Sequence, residues 1–166
     1  MTDKKLKGTI GLSRVNHVGI TVSDLDASIK FYEALTGTTI ENVDEIGGPR
    51  MAAIQGLDKV LIRYANVHLS NINLDLLEYV DPKPVEAKYD NGDIGAMHMC
   101  FVVDDLQAIV ERTKEAGVTF LGDPIEFKPE DGLKSGYGTY VAYFEDPDGV
   151  HLELIQPQGP FARPTT

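Results

Sequence analysis

One design occurs twice in this chain, and any fold it adopts must accommodate both copies. Asn16-His17-Val18-Gly19-Ile20-Thr21-Val22-Ser23-Asp24-Leu25 returns 81 positions later as Met97-His98-Met99-Cys100-Phe101-Val102-Val103-Asp104-Asp105-Leu106. The overlay sets His17 on His98, Val22 on Val103, Asp24 on Asp105, Leu25 on Leu106 and Ala27 on Ala108. A second echo, at an offset of 75, sets Leu77-Glu78-Tyr79-Val80-Asp81-Pro82 on Leu152-Glu153-Leu154-Ile155-Gln156-Pro157. Each half therefore opens on a strand histidine and closes on a strand glutamate.

The elements follow in matching order. Arg14 to Val22 is rich in Val, Ile and Thr, which predicts a strand. Ser23-Asp24-Leu25-Asp26 offers helix caps, Leu25, Ile29, Tyr32 and Leu35 recur at helical spacing, and Gly37 ends that helix. Strands are expected over Thr38 to Val43, Met51 to Ile54, Val60 to Ala65 and within Leu69 to Val80, with Gly47-Gly48-Pro49 as a turn. The second half predicts a strand from Met97, a helix from Asp105 to Ala116 stopped by Gly117, and a strand from Val118. A long loop from Asp123 to Gly138 comes next, then strands over Thr139 to Phe144 and Val150 to Ile155. The division expected is a lead-in over 1–13, a first module over 14–82, a linker over 83–95, a second module over 96–157 and a tail over 158–166. The two modules form one α+β domain.

Composition narrows the partners. A length of 166 residues suits one domain or two half-domain repeats sharing a fold. A net charge of −11 sets the surface against a nucleic-acid backbone. No run nears the roughly 18 apolar residues of a membrane span, and the polar start is no secretory signal. The lone Cys100 can form no internal disulfide, in keeping with a cytoplasmic location. Gly-rich phosphate loops, CxxC pairs and GxSxG elbows are missing from the sequence.

A charged Glu within an apolar strand such as Leu-Leu-Glu-Tyr-Val needs a partner, because a buried carboxylate left unpaired is costly. Two such glutamates and two strand histidines, placed alike in both halves, point to one shared partner, a divalent cation held by His17, Glu78, His98 and Glu153. Mixed nitrogen and oxygen ligation suits Ni, Co, Mn, Fe or Zn. Taken singly, each residue has a plainer reading: a hydrogen-bonded strand histidine, or a glutamate facing solvent or Arg14, Arg50 or Arg63. His68 has no counterpart in the repeat and is expected at the surface. His151 is a candidate to orient Glu153, and Cys100 to pack near the site.

At these residues the chain resembles the vicinal oxygen chelate superfamily, which includes glyoxalase I, methylmalonyl-CoA epimerase, extradiol dioxygenases and the fosfomycin and bleomycin resistance proteins. The pieces that carry the resemblance are Asn16 to Leu25, Leu76-Leu77-Glu78, Gly95-Ala96-Met97-His98 and Phe144 to Leu154. The resemblance spans Arg14 to Pro157. It implies tandem βαβββ modules that form a curled mixed sheet around a metal site, with His17, Glu78, His98 and Glu153 as ligands. It further implies a metal-dependent lyase or isomerase that takes a proton from the carbon next to a carbonyl through a metal-stabilised enediolate, with Glu153 or Glu78 as base. An Fe(II) extradiol-type dioxygenase and a non-catalytic small-molecule binder or resistance protein are the alternatives. The expected partners are a small substrate, anionic if Arg50, Lys59, Arg63, Lys128 and Lys134 serve as anchors, and a second copy of the chain in a homodimer.

Overall fold

The computed structural model describes residues 14–162. The expected lead-in and the last four residues of the tail lie outside the described residues. The chain divides into two compact units at Pro84 and Val85.

The first unit runs β1 (His17–Thr21), α1 (Leu25–Thr36), β2 (Val43–Gly47), α2 (Pro49–Gln55), β3 (Leu61–His68) and β4 (Asn73–Asp81). The second runs β5 (His98–Val102), α3 (Leu106–Glu115), β6 (Ile125–Glu126), β7 (Tyr140–Glu145) and β8 (His151–Gln156). Both follow a βαβββ order, the first with α2 inserted between β2 and β3. The repeated aspartates start the helices: Oδ1 of Asp24 accepts from the Ala27 amide at 3.0 Å, and Oδ1 of Asp105 from the Ala108 amide at 3.1 Å. Each bond satisfies one donor that a helix N-terminus would otherwise leave unpaired. Gly37, at φ 70, closes α1 in the left-handed region that a side chain disfavours.

Each module carries its own four-stranded sheet, in the orders β1-β4-β3-β2 and β5-β8-β7-β6. The first pair in each order is parallel and the other two are antiparallel. Neither sheet closes or curls strongly, which corrects the expected single curled sheet. Closure needs the edge strands to pair, and packed barrels need about eight strands. Here β1 and β2 stay at opposite edges of one sheet, and β6, an edge of the other, is two residues long.

Alternation along β3 and β4 gives the first sheet two faces. One carries Ala65, Val67, Leu74 and Leu76, all buried, with α1 packed against it through Leu25 and Tyr32. The other is half apolar, where Ile62, Tyr64, Leu77 and Tyr79 cluster with Ala52 and Leu57. Its remaining half is polar and carries His17. In the second module the buried stripe is Ala142, Phe144, Leu152 and Leu154, and α3 packs on β7 and β8 with Leu106 and Val110 buried.

Three local expectations are corrected. Met51 to Ile54 lies in α2, not a strand, because Gly48 and Pro49 open that helix and Gly56, at φ 69, closes it. The strand expected over Thr38 to Val43 instead starts at Val43, where the chain first pairs with β3. The segment from Val118 makes only an isolated bridge, Phe120 to Phe144.

Candidate functional site

In β1, His17 sits opposite Asn73 of β4, and Gly19 opposite Asp75. Residues paired in this way share a face, so His17 and Asp75 lie on the same side of the sheet. Nε2 of His17 is 3.6 Å from Oδ2 of Asp75. On its other side the ring donates from Nδ1 to Oδ1 of Asn16 at 2.8 Å, which turns Nε2 toward the carboxylate. Asp75 is fixed from across the sheet: Asn66, its partner on β3, donates from Nδ2 to Oδ1 at 2.6 Å.

The second module repeats this arrangement. His98 sits opposite His151, Cys100 opposite Glu153, and Nε2 of His98 is 3.1 Å from Oε2 of Glu153. Tyr143, the partner of Glu153 on β7, donates its hydroxyl to Oε2 at 2.8 Å. The Tyr143 ring stands edge-on to His98 with centroids 5.4 Å apart. Burial first, and then the neighbouring Glu153, push the Cys100 thiol up to about 12. The same two causes raise the Tyr143 phenol, so it remains a donor.

Of the four residues named from sequence, the structure pairs His98 with Glu153 but does not bring Glu78 to His17. Glu78 is on the opposite face, the one covered by α1. There it takes Nη1 of Arg63 at 2.6 Å, while Nη2 of the same guanidinium reaches Asp26 of α1 at 3.3 Å. The hydrogen bond to Asp26, together with the charges of both carboxylates, raises Arg63 further above its ordinary range. The residue beside His17 is Asp75, which ladder register makes the counterpart of Glu153. The signal for it is Leu74-Asp75-Leu76, which echoes Leu152-Glu153-Leu154 at an offset of 78. Asn66 and Tyr143 were also missed, since only register shows that they oppose the carboxylates.

His68 does have a counterpart by register. Its ring meets Oδ1 of Asn73 at 2.9 Å, where the second module pairs Glu145 with the buried His151, Nε2 to Oε1 at 3.4 Å. His151 therefore turns to Glu145, and no bond joins it to Glu153.

Among the described residues, no group of three or more His, Cys, Asp or Glu side chains is gathered closely enough to hold a metal ion. Each module offers a pair. Two donors about 2.1 Å from one ion stand about 3.0 Å apart at a right angle and about 3.4 Å apart at a tetrahedral angle. The imidazole–carboxylate separations of 3.1 and 3.6 Å are within a few tenths of those values. A neutral imidazole and a carboxylate are also the donors that borderline divalent metals prefer. In donor type and spacing each pair matches two ligands of such an ion, and the pair alone supplies no third.

Comparison with known proteins agrees with this architecture. The chain is 33% identical to a 2-epi-5-epi-valiolone epimerase from an Actinomyces species, over 96% of this chain and 88% of that protein. It is 30% identical to an ethylmalonyl-CoA/methylmalonyl-CoA epimerase from Cereibacter sphaeroides, over 87% and 98%. The fold resembles that of a glyoxalase family protein from Bacillus cereus, with a TM-score of 0.71 at 20% identity over 89% of this chain and 96% of that one. The family model for the Glyoxalase/Bleomycin resistance protein/Dioxygenase superfamily matches residues 14–154, and the chain belongs to that superfamily.

Proposed function

We propose that the protein is a metal-dependent epimerase or lyase that removes and returns a proton on a carbon next to a carbonyl. The observation that carries this reading is the register-matched pair of imidazole–carboxylate couples, His17 with Asp75 and His98 with Glu153. His17 Nε2 and Asp75 Oδ2 would offer one pair of donors to a divalent ion, and His98 Nε2 and Glu153 Oε2 would offer another. Such an ion, when bound, lowers the cost of negative charge on a carbonyl oxygen. Glu78, bound to Arg63 beneath α1, is left with a structural role.

Glu153 is the residue proposed to move the proton. Its carboxylate accepts the proton as the carbon–hydrogen bond breaks, and the electron pair shifts onto the carbonyl oxygen. Protonation of the other face of the same carbon by a second acid inverts it, with solvent resetting both groups, and return of the proton by Glu153 to the neighbouring carbon isomerises the substrate. Glu153 is only 10% exposed at its side chain, which keeps competing water from the transferred proton. The epimerases to which the chain is similar act, by their names, on a valiolone and on acyl-CoA thioesters. The substrate class proposed here is accordingly a small ketone or thioester with an acidic neighbouring carbon–hydrogen bond.

The test is solvent deuterium exchange into 2-methylmalonyl thioesters and cyclic polyhydroxy ketones, followed with Co2+-loaded protein. The wild type is expected to exchange the proton next to the carbonyl. Glu153→Gln should slow exchange by about a thousandfold while the fold stays intact. Wild-type exchange in Glu153→Gln would remove Glu153 from that role.

A further inference from the structure

Both carboxylates are held by a donor from the residue directly opposite them on the adjoining antiparallel strand. Asn66 opposes Asp75 on β3, and Tyr143 opposes Glu153 on β7. The bonds are short, 2.6 Å from Asn66 Nδ2 and 2.8 Å from the Tyr143 hydroxyl. Both carboxylates are shielded, at 21% and 10% side-chain exposure, so water competes poorly for those bonds. The side chains differ but the place is the same, and neither donor belongs to the repeated letters of the sequence.

We propose that Asn66 and Tyr143 are matched positioning residues, each setting the rotamer of its carboxylate so that one oxygen faces the neighbouring imidazole. This rests on the metal-binding reading above. The two act through different atoms. Asn66 takes Oδ1 and leaves Oδ2 to face His17, so the two oxygens of Asp75 are divided between two partners. Tyr143 takes Oε2, the oxygen that also faces His98, and its ring rests edge-on against that imidazole. Tyr143 therefore orients both members of its pair, one by hydrogen bond and the other by packing. Partners that orient ligands without touching the ion commonly contribute 10- to 100-fold, roughly, to metal affinity.

The experiment is Co2+ titration of the full chain, followed calorimetrically and by visible absorption. Tyr143→Phe and Asn66→Leu are compared with wild type, His17→Ala and His98→Ala, all at a temperature where each melts well above the measurement. Tyr143→Phe keeps the ring packing and removes only the hydroxyl, while Asn66→Leu keeps the volume and removes the donor. Each is expected to weaken Co2+ binding about tenfold and to alter the absorption envelope, with circular dichroism unchanged. A merely structural role would lower the melting temperature and leave Co2+ affinity and spectrum as in wild type, and that result would overturn the proposal. Loss of binding in His17→Ala and His98→Ala with none in Tyr143→Phe or Asn66→Leu would overturn the inference alone. Binding indifferent to both histidines would overturn the metal reading, and this inference with it.

Discussion

Asp75 and Glu78 stand three residues apart on β4 and face opposite sides of the sheet, so substituting each in turn separates two roles. Asp75→Asn keeps size and hydrogen-bonding shape but removes the charge beside His17, and should weaken Co2+ binding by about a hundredfold. Glu78→Gln breaks the charge pairing with Arg63, and should lower the melting temperature with Co2+ affinity unchanged. Equal loss of affinity in both variants would contradict the assignment of faces. Cys100 supplies a second check at this scale. A thiol pushed up to about 12 stays protonated through the physiological range, because its acid form is favoured until the pH approaches that value. At pH 8 it holds roughly a thousandfold less thiolate than an unperturbed cysteine, so alkylation by iodoacetamide should be slower by that order. Alkylation at the rate of a free cysteine would show that neither burial nor Glu153 holds the thiol protonated.

At the scale of elements, the two modules start their helices with the same device, and the device can be removed without touching either pair. Asp24→Ala and Asp105→Ala should each cost about 1 kcal/mol in chemical denaturation, with Co2+ binding retained. A change in metal affinity from either cap would mean that helix starts and pairs are coupled. The elements also show how much the sequence disclosed. The helix caps Asp24 and Asp105 and the glycine at the end of α1 follow from short-range chemistry and stand where expected. The histidine strands form at the expected places with different ends, His17–Thr21 and His98–Val102. The strand carboxylate of the first module did not follow. Leu77-Glu78 repeats the letters of Leu152-Glu153, but pairing with β1 gives the equivalent place to Asp75, three residues earlier. A one-methylene difference between Asp and Glu hid the counterpart, and the alternation of buried Leu74 and Leu76 around Asp75 was the cue. The helical nature of α2 was hidden because Met-Ala-Ala-Ile has no period of its own, and its end signals, Gly48-Pro49 and Gly56, read equally well as turns.

At the scale of the whole molecule, the chain carries four matched donors, two from each module. A pair alone is too few ligands to hold a borderline divalent metal against water, which usually takes three or four protein donors. Each pair therefore needs further ligands to complete its coordination, and Co2+ retention should depend on the histidine of each pair. An overall charge of −11 favours the approach of a cation and opposes that of an anionic substrate, so catalysis on an acyl thioester should quicken as salt screens the repulsion. The most direct test is the Co2+ stoichiometry of the purified chain, measured by titration and by elemental analysis after dialysis. Co2+ retained by the wild type, and reduced in both His17→Ala and His98→Ala, is the predicted result. A chain that retains no Co2+, or one whose bound Co2+ survives both substitutions, would contradict it.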